Sequence, residues 1–367
     1  MSELRIIDAD CHVMEPDQIW VDYIDSAFRE RAPRRERLSG FDWGQMRVDG
    51  APIYRHYPEE LARAFQTNID AWYSDYRDQN FDARSTLLAM DRQGIERSYL
   101  YPSLGLGVVA IEGVDPALAA AIARAYNDWI WSFCSLDRKR LIPVPLISLH
   151  DPVAAAAEVA RAARLFNARA VIVRPNPING EPIGCAYFAP FWRSCTENGV
   201  SVAIHEGCHA QLPAAGADRF FTHFSMHTCC HPMEQMMAFL TLVENGVFET
   251  YPDLQVAFLE AGCGWVPYLL WRMDSEYRLW RDEVPAVKRP PSEYFKRQCY
   301  VSVEGCEPYL DMVIDCLGVD RLLFGTDFPH PDHAFGEEVK EIVEAPIARE
   351  AKEKILWDNP CRFYRTQ

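Results

Sequence analysis

The sequence predicts an α/β protein built as a (β/α)8 TIM barrel, and three observations carry that prediction. Eight short, continuously apolar stretches alternate with helix-patterned stretches along the 367 residues, which is how strands read when both faces are buried in a parallel sheet. The length is generous for one domain unless the fold is a barrel. Several of the apolar stretches end in His, Asp or Glu, at the strand termini where a barrel collects its chemistry. No G-x-G-x-x-G follows any of them, which removes the dinucleotide-binding doubly wound sheet. The chain reads as one domain over 1–367, with residues 16–82 inserted as a cap after the first strand.

The first strand spans Leu4 to Asp8 and runs at once into Asp10-Cys11-His12. The 16–82 connection reads as irregular and rich in Trp, Tyr, Arg and Pro, with a turn signal at Val48-Asp49-Gly50-Ala51-Pro52. A connection this long is functional or disordered, and its aromatics (Trp43, Tyr54, Tyr57, Trp72, Tyr73, Tyr76) favour an ordered cap. Arg31, Arg34, Arg35 and Arg37 form a basic cluster there, read either as a solvated face or as a phosphate or coenzyme A contact. Then the alternation sets in. Helices are expected at 83–94, 116–134, 152–166, 188–198, 232–245, 264–281, 308–317, 336–344 and 347–357. Strands are expected at 97–102, 141–147, 169–173, 200–204, 254–259, 298–303 and 321–325. The aromatic run Trp265 to Met273 is read as the barrel-facing stripe of its helix, with Trp265 near enough to touch substrate.

Formal net charge is −16, from 37 basic and 53 acidic residues. So acidic a balance argues against nucleic acid and anionic membrane as partners and leaves a small-molecule substrate. The opening Met-Ser-Glu-Leu-Arg lacks an apolar leader core, and no apolar run has membrane-spanning length. The expected compartment is therefore cytoplasmic, with the twelve cysteines reduced and mostly small buried hydrophobes. Cys208, Cys229-Cys230, Cys263 and Cys306 make no zinc-knuckle spacing.

Strand ends carry the candidate chemistry. Asp10 and His12 follow the first strand, two apart and so on one side of an extended backbone. Arg174 ends the fourth, His205-Glu206 the fifth with His209 just beyond, Glu260 the sixth, and Asp327 the eighth. Ligand-type residues at four such termini point to a metal site. His223, His227 and His231 recur at intervals of four ahead of Pro232. Because i and i+4 share a helix face, His227 and His231 could both look into the site. With Pro232 in the first turn, His231 falls near the helix start and His227 in the preceding loop.

At these residues the chain resembles the amidohydrolase-related superfamily of (β/α)8 metalloenzymes, in the branch that includes aminocarboxymuconate-semialdehyde decarboxylase. Asp10-Cys11-His12 sits where that family has its strand-one ligand pair. Val202-Ala203-Ile204-His205 resembles the strand-five ligand, and Leu323-Phe324-Gly325-Thr326-Asp327-Phe328-Pro329-His330 the strand-eight aspartate motif. Two positions depart from the pattern. Glu260 stands where the decarboxylases carry a histidine, and Arg174 where binuclear hydrolases carry a carboxylated lysine. The resemblance implies a metal held among Asp10, His12, His205, His227, His231, Glu260 and Asp327, a ligand count that favours two ions. Such a mixed set suits iron, manganese or zinc.

The chain looks most like a subgroup of this superfamily that activates dioxygen at two non-haem irons and is associated with coenzyme A-linked substrates. The leading expectation is accordingly a di-iron monooxygenase of an apolar substrate such as a coenzyme A thioester, served by an external reductant. The alternative is a metal-dependent hydrolase or non-oxidative decarboxylase, with Asp327 or Glu260 moving the proton and Arg174 holding a carboxylate. A catalytically silent binding barrel is the third reading. Aromatics exposed in the cap would be consistent with a homodimer.

Overall fold

The computed structural model describes residues 4–37, 44–55, 59–207 and 209–366. Trp43, Tyr57, Cys208 and the Arg37 side chain, singled out above, lie outside the described residues. The strands in chain order are β1 (Ile6–Val13), β2 (Arg34–Arg37), β3 (Gly44–Val48), β4 (Ala51–Pro52), β5 (Ile95–Pro102), β6 (Leu141–Pro143), β7 (Ala170–Val173), β8 (Ser201–His205), β9 (Val256–Leu259), β10 (Cys299–Val303) and β11 (Leu322–Phe324). Within 16–82, β2, β3 and β4 pair antiparallel. The other eight run parallel, in the orders β1-β5-β6 and β7-β8-β9-β10-β11.

Two seams close these into a ring. A parallel bridge joins Leu146 to Ile172, with Ile172 N–H donating to Pro145 O at 2.9 Å. On the other side Asp327 N–H donates to Asp10 O at 2.9 Å, and His12 N–H to Phe328 O at 2.7 Å. Gly325 makes the second seam possible: a Cβ there would lie 2.4 Å from the Asp10 Cβ. The eight-stranded barrel expected from the sequence is therefore present. Its strands are buried nearly throughout, as the unbroken apolar runs required.

The differences from expectation have local causes. β1 continues to Val13, so Asp10 and His12 belong to the strand itself, and its register against β5 slips between Asp8 and Cys11. Such an extra residue re-aims side chains at a barrel rim. The cap is more regular than its composition suggests. Leu61, Phe65, Ile69 and Trp72 follow helical spacing in the helix Glu59–Trp72, and Asp49-Gly50, both at positive φ, turn β3 into β4 as a type I′ hairpin. The helix expected at 232–245 begins nine residues earlier and spans His223–Glu244, with the Thr222 side chain accepting from Ser225 N–H. Pro232 lies inside it rather than in its first turn. Buried Met226, Cys229 and Cys230 continue the apolar face ahead of the proline, and that packing outweighs the preference of proline for a helix start. Helix Pro291–Gln298 was not anticipated. In helix Trp265–Trp280, Trp265, Val266, Leu270 and Met273 are buried while Tyr268 and Trp271 are exposed. Trp265 packs on Phe258 and Phe295. Among the described residues no helix is long and apolar enough to cross a membrane.

Candidate metal centre

His12 on β1 and His205 at the end of β8 meet across the barrel mouth with their Nε2 atoms 3.2 Å apart. Each ring is oriented from behind. His12 Nδ1 lies 3.0 Å from Pro102 O and His205 Nδ1 2.6 Å from Glu206 O. A backbone carbonyl only accepts, so each Nδ1 carries the proton and each Nε2 of a neutral ring presents its lone pair. Two such nitrogens at this separation call for a positive charge between or beside them, whether a proton or a metal ion. Asp10 Oδ1 sits 3.5 Å from His12 Nε2 and 3.6 Å from His205 Nε2, facing the same point. Two nitrogens bound at ~2.1 Å in a tetrahedral or octahedral shell lie roughly 3–3.4 Å apart, so the residues present fit a divalent ion.

Burial sets the charge states. It pushes the Asp10 carboxyl up to about 7 and drives the His12 imidazole down to about 3, with His330 adding to the effect. Burial also opposes charge on His205, but the carboxylates of Glu260 and Asp10 outweigh it and raise its pKa. Without a metal that shift favours a proton on His205, whose Nε2 lies 2.7 Å from Glu260 Oε2; a metal ion would take that proton's place.

Two strand-end carboxylates complete the mouth, and both backbones are unusual. Glu260 and Asp327 have φ of 52° and 54°, left-handed values that cost a non-glycine residue energy and cluster at functional sites. Glu260 N–H is held by Ser302 Oγ at 2.9 Å, and Asp327 N–H by the β1 seam. From helix His223–Glu244, Gln235 Nε2 donates to both Ile204 O and Leu259 O at 2.9 Å, fixing the strand ends that carry His205 and Glu260. Asp327 Oδ1 lies 3.3 Å from His12 Nε2. Asp10 Oδ1, Asp327 Oδ2 and His231 Nε2 are buried and make no hydrogen bond among the described residues. Asp8 is structural: it accepts from Thr326 N–H and Oγ1–H at 3.0 and 2.6 Å, pinning β11 to β1.

Of the residues singled out in the sequence, Asp10, His12, His205, Glu260 and Asp327 converge. His231 joins them from the helix, its Nδ1 2.9 Å from Glu260 O. His227 is one turn out, on the helix rather than in a loop, and pairs with Asp332 at 3.3 Å. His223 and His209 lie progressively farther along the same wall. Arg174 corrects an expectation. Its Nε donates to Asn176 Oδ1 at 3.0 Å, its Nη2 to Glu206 Oε1 and Gly207 O at 2.6 and 2.9 Å, and its Nη1 to Leu106 O at 3.3 Å. A buried guanidinium so occupied positions Glu206 and the loop after β8 and is not set to hold a substrate carboxylate. The basic cluster of the cap is likewise engaged: Arg31 pairs with Asp49 and Asp115 and Arg35 with Asp17.

Sequence reasoning missed His330. Its Nδ1 lies 2.7 Å from Asp327 Oδ1, its Nε2 2.7 Å from Ser103 Oγ, and its ring leans on His12 at 30° with centroids 4.0 Å apart. Burial works against its charge, but Asp327 outweighs that and raises it to about 10. The signal was its position three residues after Asp327, inside a motif already recognised. The mouth opens into a cavity of ≈ 520 Å³ whose walls include His205, His231, Glu260 and His330 on the barrel side and Leu61, Phe65 and Phe81 on the cap side.

A ring of eight parallel strands with imidazoles and carboxylates at their C-terminal ends defines a TIM-barrel metalloenzyme. The chain belongs to the amidohydrolase family, whose model matches residues 7–366. It is 25% identical over 292 residues to a gamma-resorcylate decarboxylase of Polaromonas sp., covering 75% of this chain and 85% of that protein. It is also 25% identical over 252 residues to the 2-amino-3-carboxymuconate-6-semialdehyde decarboxylase of Dictyostelium discoideum, covering 68% and 67%. Among solved structures, an amidohydrolase from Mycobacterium avium subsp. paratuberculosis superposes over 100% of this chain and 99% of its own with a TM-score of 0.80 at 21% identity. A dihydroxybenzoic acid decarboxylase from Polaromonas sp. JS666, with bound manganese and the inhibitor 2-nitroresorcinol, covers 99% and 97% at a TM-score of 0.70 and 19% identity.

These relatives correct the leading functional expectation. Gamma-resorcylate and 2-amino-3-carboxymuconate-6-semialdehyde decarboxylases are among the curated proteins similar to this chain, which overturns the monooxygenase reading in favour of its alternative. The comparisons lend no support to two irons, a coenzyme A thioester, an external reductant or a homodimer. Counting ligands misled because a mixed imidazole and carboxylate set decides which ions can bind, not whether water, dioxygen or an acid meets them. Glu260 in place of the strand-six histidine weighed against decarboxylation, yet imidazoles from outside the strands, His231 and His330, stand beside the site.

Proposed function

We propose that the protein is a metal-dependent, non-oxidative decarboxylase of a hydroxylated aromatic acid of the dihydroxybenzoate type. The observation that carries the reading is the pair of backbone-oriented imidazoles, His12 and His205, facing each other beside Asp10 at the inner end of an aromatic-walled cavity. The decarboxylase relatives supply the reaction class. In this reading Asp10, His12, His205 and Glu260 hold one divalent ion, with manganese favoured by the mixed donors and by its presence in a structural neighbour. When bound, that ion supplies the charge that fixes and polarises the oxygens of the acid.

The remaining steps fall to side chains. The bond between ring and carboxylate breaks, carbon dioxide leaves, and the ring carbon takes up a proton. Asp327, gripped at Oδ1 by His330 and open at Oδ2, delivers that proton, and His330 restores it. The cap walls keep water from competing at the ring carbon. The test is turnover of 2,6-dihydroxybenzoate by manganese-loaded protein under argon. One carbon dioxide and one resorcinol per acid consumed is expected; turnover that stops without dioxygen would sink the reading.

A further inference from the structure

The cavity is longer than a one-ring acid needs, and its outer part is of a different character from its inner part. A ladder of rings measures its length. From His231, which touches Glu260, the wall runs through His227, His223 and Phe65 with centroid spacings of 4.2, 5.1 and 5.5 Å. One aromatic ring covers about one such spacing, so a dihydroxybenzoate anchored at Glu260 and His205 stops short of Phe65. Beyond it the cap contributes Leu61, Phe65 and Phe81, and the short helix Leu104–Val108 adds Leu104 and Leu106 to the cavity wall. The two arginines on these walls are already engaged, Arg35 with Asp17 and Arg77 with Asp70 and Asp78. The same walls also carry Gln66, Asn80, His223 and His227, with Gln66 Oε1 and His223 Nδ1 buried and without a hydrogen-bond partner among the described residues. With both arginines paired, the three apolar cap side chains suit a hydrocarbon better than an anionic tail.

Resting on the decarboxylase reading, we propose that the substrate is a hydroxylated aromatic acid extended by an apolar substituent opposite its carboxylate, and that Phe65 and Leu61 of the cap helix select that substituent. The inner compartment holds the acid; the outer one holds an alkyl or aryl tail. Each buried CH2 strengthens binding by roughly fourfold.

The experiment compares 2-nitroresorcinol with its 5-pentyl homologue by calorimetry on manganese-loaded protein, and 2,6-dihydroxybenzoate with its 4-pentyl homologue by carbon dioxide release. The pentyl compounds are expected to bind at least tenfold tighter and to show a correspondingly lower KM. In Phe65→Ala, and again in Leu61→Ala, the ratio between pentyl and parent compound falls below about threefold. The ratio is read within each variant, so a general loss of stability does not imitate the effect. Equal or weaker binding of the pentyl compounds, with the parent acid still decarboxylated, overturns the tail subsite and leaves the decarboxylase reading standing. Neither resorcinol binding and neither acid releasing carbon dioxide overturns the decarboxylase reading itself, and the tail subsite with it.

Discussion

The barrel mouth and the cap that closes over it are both densely charged, and they dispose of charge in opposite ways. In the cap, Arg31 is pinned between Asp49 and Asp115, Arg35 lies on Asp17, and Arg47 on Glu36. These pairs are part-exposed and mutually satisfied, the state in which ion pairs contribute little. At the mouth, Asp10, Asp327 and His231 are buried with polar atoms that no described residue satisfies, and the Nε2 atoms of His12 and His205 face one another at 3.2 Å. Single buried groups without a partner occur elsewhere, as at Trp20 Nε1 and Tyr126 Oη, but several converging on one point call for a ligand or for strain kept for function. Charge density therefore does not mark the site; unmet hydrogen-bonding capacity converging from several side chains does.

The contrast can be broken most directly at the mouth. His205→Ala is expected to abolish metal binding, measured by elemental analysis, and to lower decarboxylation by more than about a thousandfold, with the far-ultraviolet spectrum retained. Chelation should do the same reversibly: the apo-protein is inactive, manganese restores turnover, and saturating ion at a hundred times Kd raises stability by about 2.7 kcal/mol. No rise in melting temperature on adding manganese would count against an ion held in the native state. Asp327→Asn should keep the metal and lose kcat by roughly a hundred- to ten-thousandfold; equal loss of metal would make Asp327 a ligand instead of the proton carrier.

A smaller effect sits between the two regions. Glu234 is buried with Oε1 accepting from Ala215 N–H and Oε2 without a hydrogen-bond partner among the described residues, and burial raises its pKa to about 7. Because the folded value lies above the unfolded one, the native state binds the proton more tightly. Its contribution to stability is complete below pH ~4.5 and is lost as pH rises to about 7. Glu234→Gln should therefore gain on the wild type between pH 5 and pH 8, on the order of 1 kcal/mol by urea titration, and a pH-independent difference would refute the assignment. Smallest of all, Arg31→Ala should leave turnover unaltered and shift the melting temperature by no more than ~2 °C. A large loss would mean that the cap's charges do more than satisfy one another.

Much was legible in the chain itself. The eight apolar runs, the absence of a dinucleotide loop, and Asp10, His12, His205, Glu260 and Asp327 at strand ends were all present as pattern, because burial on both faces writes itself into every strand and a barrel puts its chemistry at fixed termini. Tertiary structure decided the rest. Arg174 could have faced substrate or protein, and only the fold brings Glu206, Gly207 and Leu106 to its donors. His227 belonged to a loop or a helix until Met226, Cys229 and Cys230 were seen buried ahead of Pro232. The tautomers of His12 and His205, from which the metal site is argued, depend on carbonyls of Pro102 and Glu206. Local pattern records which face a residue shows to the core; which partner it meets there depends on contacts between segments hundreds of residues apart, and no period in the sequence encodes those.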